Sequence, residues 1–132
     1  MRRSPWFAVA LGTALWTTLV LGGALYNVTC SDPGCGFKAS VGIGGGFRFE
    51  EIRGFCKHCD EVVGLRWPRG KETEKPKPLA EFWDPKTGDV RQVFKCPKCG
   101  DPFVAIQKIE DLQYCPKCNK PDLKRSRGPL YD

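Results

Sequence analysis

From Trp6 to Leu25 the chain is apolar except at Gly12, Thr13, Thr17, Thr18, Gly22 and Gly23, and nothing charged lies between Arg3 and Asp32. Twenty helical residues at about 1.5 Å each reach about 30 Å, the thickness of a bilayer's hydrocarbon core. Backbone amides in lipid must be satisfied within the segment, so the pattern predicts a transmembrane helix over residues 6–25. Arg2 and Arg3 precede it and only Lys38 follows closely. This bias keeps the N-terminus cytoplasmic and places the rest of the chain outside, as a single-pass membrane protein. The alternative is export after signal cleavage, with Gly22 and Ala24 before a cut at Leu25. An apolar run this long favours a retained anchor.

Beyond residue 29 the pattern changes to short β-prone runs separated by turn residues. Phe37–Val41 and Phe47–Ile52 flank Gly42-Ile43-Gly44-Gly45-Gly46 and predict a hairpin with a flexible glycine tip. Phe47 and Phe49 alternate with Arg48 and Glu50 at strand period. Val62–Trp67 reads as a further strand. Glu81–Trp83 and Val90–Phe94 flank the turn Asp84-Pro85-Lys86-Thr87-Gly88-Asp89, Phe103–Gln107 is another strand, and Ile109–Leu112 is a turn. Between Pro68 and Pro78 three prolines and mixed charges, with no large apolar residue, predict a linker or exposed loop.

The expected organisation is a membrane anchor at 1–28, a first β module at 29–67, the loop at 68–80, a second β module at 81–124 and a basic tail at 125–132. Modules this small bury too little apolar surface to be stable unaided, and they usually need disulfides or metal.

Eight cysteines meet that need. They fall into four pairs: Cys30/Cys35, Cys56/Cys59, Cys96/Cys99 and Cys115/Cys118. Three pairs have two intervening residues and the first has four, all within the range for structural zinc. The gaps of 20 residues from Cys35 to Cys56 and 15 from Cys99 to Cys115 also suit zinc. All eight are candidate metal ligands. The shorter gaps favour, and the prolines and charges of the 68–80 linker argue more strongly, that Cys30, Cys35, Cys56 and Cys59 share one ion and that Cys96, Cys99, Cys115 and Cys118 share the other, with no shared core across the linker. In Cys96-Pro97-Lys98-Cys99-Gly100 and Cys115-Pro116-Lys117-Cys118-Asn119, proline restricts the turn and lysine offsets thiolate charge. The closing Gly or Asn can take positive φ. Disulfides are the competing use, but Cys-x-x-Cys bridges close tiny loops and stabilise little. His58, the only histidine, lies inside a knuckle and is expected to face solvent.

These knuckles resemble those of the zinc-ribbon and rubredoxin-like families. Tyr114-Cys115-Pro116-Lys117-Cys118-Asn119-Lys120-Pro121 is also similar to the closing knuckle of rubrerythrin's rubredoxin domain. The resemblance implies a small metal-stabilised β fold of two zinc-ribbon-like modules with short antiparallel hairpins. It implies two Zn²⁺ sites, with iron as the alternative in one or both.

The formal charge of +6 becomes about +2 once eight thiolates (−8) and two divalent ions (+4) are counted, so the basic composition argues little for a nucleic-acid partner. Closed four-cysteine sites cannot activate water, and no Ser/His/Asp or Cys/His set is evident, so no enzymatic activity is expected. The function expected is a membrane-anchored structural or protein-interaction module, a small accessory subunit of a membrane complex, touching lipid through residues 6–25 and another protein through its β surface. The alternatives are a rubredoxin-like one-electron carrier and a nucleic-acid-binding ribbon using Lys120, Lys124, Arg125 and Arg127.

Overall fold

Along Tyr26, Val28 and Cys30 every second side chain turns toward the core, while Asn27 and Thr29 between them do not, and Asn27 Oδ1 accepts a hydrogen bond from the Ser40 hydroxyl at 2.8 Å. This period of two is that of a strand. In the computed structural model, which describes residues 23–131, it forms β1 (Gly23–Cys30). There follow β2 (Lys38–Ile43), β3 (Phe49–Cys56), β4 (Glu61–Pro68), β5 (Ala80–Asp84), β6 (Asp89–Lys95), β7 (Pro102–Ile106) and β8 (Leu123–Tyr131). Single 3₁₀ turns occupy Glu72–Glu74 and Ile109–Gln113.

The strands form two antiparallel sheets, β2-β1-β8 and β4-β3-β7-β6-β5. The fold is therefore small and all-β, as the strand patterns require. Six predicted strands lie within a few residues of observed ones. The pairing of the first two differs. β2 and β3 do not form a hairpin: β2 pairs with β1, while β3 pairs with β4 and β7. Nor is the Gly42–Gly46 stretch a loose tip. The Arg69 guanidinium donates to the Gly46 carbonyl at 2.9 and 3.1 Å, and the Arg69 N–H donates to the Arg48 carbonyl.

Two strands were not anticipated. Gly23–Val28 was expected in the anchor, yet it lies in β1, paired on both sides. The rest of the predicted transmembrane segment lies outside the described residues; among these, no helix is long and apolar enough to cross a membrane. β8 replaces the expected basic tail. Among the β8 side chains described, Leu123 alone packs against the core, and Lys124, Arg125 and Arg127 are exposed, so no alternation marks the Lys-Arg-Ser-Arg run. β8 is an edge strand, where charge and Pro129 are tolerated and discourage further pairing. A bulge opposite Leu25 accommodates Gly128 and Pro129.

The five-stranded sheet spans the proline-rich loop. Arg53, Gly54 and Phe55 of β3 pair with Ile106, Ala105 and Val104 of β7, and residues 69–79 run along the surface without interrupting that contact. The two faces of β3 and β7 serve different cores. Phe55 and Ile106 join Val28, Phe37, Val41 and Leu112 on one side. Cys56, Phe103 and Ala105 join Val63 and Phe94 on the other. Phe37 meets Phe55 edge-on at 5.3 Å and locks the small sheet to the large one. Gly54 has no room for a side chain: a Cβ would stand 2.4 Å from the Phe103 ring and 2.3 Å from the Val104 carbonyl oxygen.

Candidate metal centres

Each cysteine pair sits in a tight turn whose next residue takes a left-handed conformation. Gly36 follows Cys35, Asp60 follows Cys59, Gly100 follows Cys99 and Asn119 follows Cys118, with φ between 54° and 84°. The turn bends back on itself: Gly100 N–H donates to the Cys96 carbonyl, and Asn119 N–H to that of Cys115. Cys96 N–H and Cys115 N–H in turn reach the carbonyls of Asp101 and Lys120. Gly100 and Asn119 have the positive φ that the sequence allows. Asp60 carries the same conformation without being foreseen, although short polar side chains do tolerate it.

All eight candidate cysteines gather into two groups, but not with the partners that loop length predicts. One group is Cys30, Cys35, Cys115 and Cys118; the other is Cys56, Cys59, Cys96 and Cys99. Each takes one knuckle from before the proline-rich loop and one from after it, in nested order. The strand ladders explain this. β1 runs between β2 and β8, and Ser31 N–H donates to the Asp122 carbonyl, which sets the first knuckle against the last. β3 pairs with β7 and so brings Cys56, at the end of β3, beside the knuckle that precedes β7. Closing 36 and 79 residues instead of 20 and 15 costs about 2 kcal/mol more by logarithmic scaling. Burying a side chain such as Phe55 is worth about 1.5–3 kcal/mol, and the shared sheet buries several, so packing outweighs loop entropy.

Within each group the four sulfurs lie within 4.8 Å of one another. Cys30–Cys118 and Cys35–Cys115 Sγ pairs are 3.7 Å apart, Cys56–Cys99 is 3.5 Å and Cys59–Cys96 is 3.9 Å. A tetrahedral ion with metal–sulfur bonds of about 2.3 Å needs sulfurs about 3.8 Å apart. All eight are free thiols, so each group could hold a metal ion. In each knuckle the first cysteine is buried and the second half-buried.

Four thiols so close cannot all ionise without a cation. Hydrogen bonding to Cys99 and then burial push the Cys59 thiol up to about 12. Burial does the same to Cys115, also to about 12. One member of each group moves the other way. Burial opposes ionisation of Cys96, but the N–H groups of Cys99 and Lys98 outweigh it and bring that thiol down to about 7. The Lys120 N–H lowers Cys118. The second knuckle of each group thus offers the first thiolate, and a divalent ion would draw the remaining protons off the others.

The knuckle lysines do more than face thiolates. Lys98 pairs with Glu61 at 2.5 Å, tying the two knuckles of the inner group together, and His58 Nδ1 lies 3.3 Å from Asp101 across the same group. Lys120 pairs with Asp32 at 2.5 Å across the outer group. Lys117 of the outer group reaches Asp60 of the inner group at 2.9 Å and links the two. Lys117 and Lys120 are raised by these carboxylates, and Asp32 is lowered by Lys120. His58 is solvent-facing, as expected. The acids Asp32, Asp60, Glu61 and Asp101 were not singled out in the sequence. Their signal was available: each lies within a knuckle or within two residues of its second cysteine.

A family resemblance beyond the knuckles finds no support in direct comparison: no family model, no curated protein and no solved structure matches this chain.

Proposed function

We propose that this chain is a membrane-anchored, zinc-stabilised protein-interaction module without catalytic chemistry of its own, with two interleaved zinc-ribbon-like sites. The observation that carries this reading is the use of all eight cysteines in two closed four-sulfur groups. Four thiolates fill a tetrahedral ion's coordination sphere and leave no position for water or substrate. The ions then serve as fold-building cross-links. Such small cores need them.

The partner surface in this reading is the β5–β6 hairpin. Trp83 and Val90 face each other across the two strands, both exposed, and Leu79 is exposed just before the start of β5. Among the described residues β5 is also the edge strand of its sheet. An exposed tryptophan, 63% accessible, on an open edge suits an extended segment of another protein.

Metal analysis of the purified full-length chain tests the chemistry. Two zinc ions per chain are expected, with thiols that become reactive only after a chelator is added. Visible absorption with bound iron would replace this with the rubredoxin-like electron-carrier reading. Cysteines that resist alkylation in chelator and denaturant together would show disulfides and defeat both.

A further inference from the structure

The loop between β2 and β3 holds a large aromatic in solvent on a braced support. Phe47 is 58% exposed. The residues before it are fixed. A Cβ on Gly45 would fall 2.3 Å from the Phe49 carbonyl oxygen and 2.7 Å from Glu50 Cα, so the loop is folded hard against the start of β3. Gly46 is buried, with its carbonyl held twice by Arg69. Arg69 also pairs with Glu50 at 3.4 Å. Exposing a phenylalanine this way costs hydration free energy that a mere turn would avoid with a polar residue.

This loop lies where the apolar N-terminal sequence joins the fold. Gly23 begins β1, and a Cβ on Gly44 would stand 3.5 Å from Gly23 Cα. Ala24 pairs with Ile43 on one side, and Gly23 with Tyr131 on the other. The 17 residues from Trp6 to Gly22 are uncharged. They meet the lower limit of about 17 for a membrane-spanning helix. The opposite end of the small sheet carries Cys30, Lys38 and Leu123, seven residues along β1 and so about 23 Å away.

We infer that the Gly44–Arg48 loop is a membrane-interface contact, with Phe47 seated among the lipid headgroups and acyl ends and exposed Arg48 beside it at the phosphate level. The inference rests on the anchored reading above. It adds that the small sheet stands upright on the bilayer, Gly23 end down, with the outer cysteine group held at its far end. Phenylalanine side chains bury at the headgroup–acyl boundary, and an arginine beside one pairs with a headgroup phosphate.

The test uses the full-length chain reconstituted into phosphatidylcholine/phosphatidylglycerol vesicles, with p-benzoylphenylalanine in place of Phe47 or, as the far-end control, of Lys124. Both positions are exposed, and metal content verifies folding of each variant. Illumination is expected to give a lipid adduct at position 47 several-fold above that at position 124. A chain that stays with the membrane through alkaline extraction yet gives no excess of lipid adduct at 47, or gives only protein adducts there, overturns the inference and leaves the anchor standing. A chain released from vesicles by that extraction overturns the anchor itself, and the inference falls with it.

Discussion

The inner group, Cys56 and Cys59 with Cys96 and Cys99, closes 36 residues of chain, whereas the outer group, Cys30 and Cys35 with Cys115 and Cys118, closes 79 and encloses the first. Three of the four knuckles have two intervening residues and the first, in the outer group, has four, and the two groups also sit differently in the fold. The inner group belongs to the five-stranded sheet and shares a core with Val63, Phe94 and Phe103. The outer group lies at the seam, where the three-stranded sheet packs through Phe37 onto Phe55. The difference teaches an order of dependence. β3 and β7 contribute Phe55 and Ile106 to the outer group's core, whereas no described residue of β1 or β8 belongs to the inner group's core.

The sharpest way to break that asymmetry is a matched pair of ligand changes. Cys56→Ser is expected to release both ions and unfold the whole β region, because metal binding and folding are coupled and the outer core hangs on the same β3 strand. Cys115→Ser is expected to release about one ion and leave the five-stranded sheet folded. Metal counting with circular dichroism on both variants decides. If Cys115→Ser also strips the inner ion, the order of dependence is wrong.

A smaller effect is expected at the seam. Phe55→Ala removes the ring that joins the sheets and should cost about 3–4 kcal/mol in urea unfolding, with the outer ion lost to a chelator before the inner one. Equal loss of both ions would mean that the seam does not favour one group.

The finest distinction lies in the order of filling. At limiting zinc and neutral pH, the inner group should fill first, because its loop is shorter and Cys96 is brought down to about 7. Alkylation with mass spectrometry reads which cysteines are protected. The preference should fade as pH falls through about 7 and protons reclaim Cys96. In the metal-free chain Cys59 and Cys115, pushed up to about 12 from 9.0, carry the opposite sign. Unfolded thiols ionise first, so those two groups favour the metal-free fold below pH 9.0 and weaken it between there and about 12. A metal-free fold that strengthens through that alkaline range would contradict this.

Much of the fold was legible because it rests on local chemistry. Knuckle spacing marked the eight cysteines, strand period marked the start of β3, the Asp84–Asp89 turn signal marked β5 and β6, and Gly100 and Asn119 marked two of the four left-handed turns. β8 was not legible, because its Lys-Arg-Ser-Arg run takes its strand form from pairing with β1 rather than from burial. β1 was hidden because its Gly-Ala-Leu-Tyr start continues an apolar run without a break in composition.

The sequence by itself determined that this is a small antiparallel β fold built around four thiol knuckles, since spacing and side-chain period act over a few residues. Which knuckles meet was decided only by the tertiary structure. The loop-entropy difference between nested and sequential pairing is about 2 kcal/mol, too little to outweigh the burial of Phe55, Ile106 and Phe103 on the two faces of the paired β3 and β7. Strand partners far apart in the chain, and not the spacing of the cysteines, therefore fix the two cysteine groups.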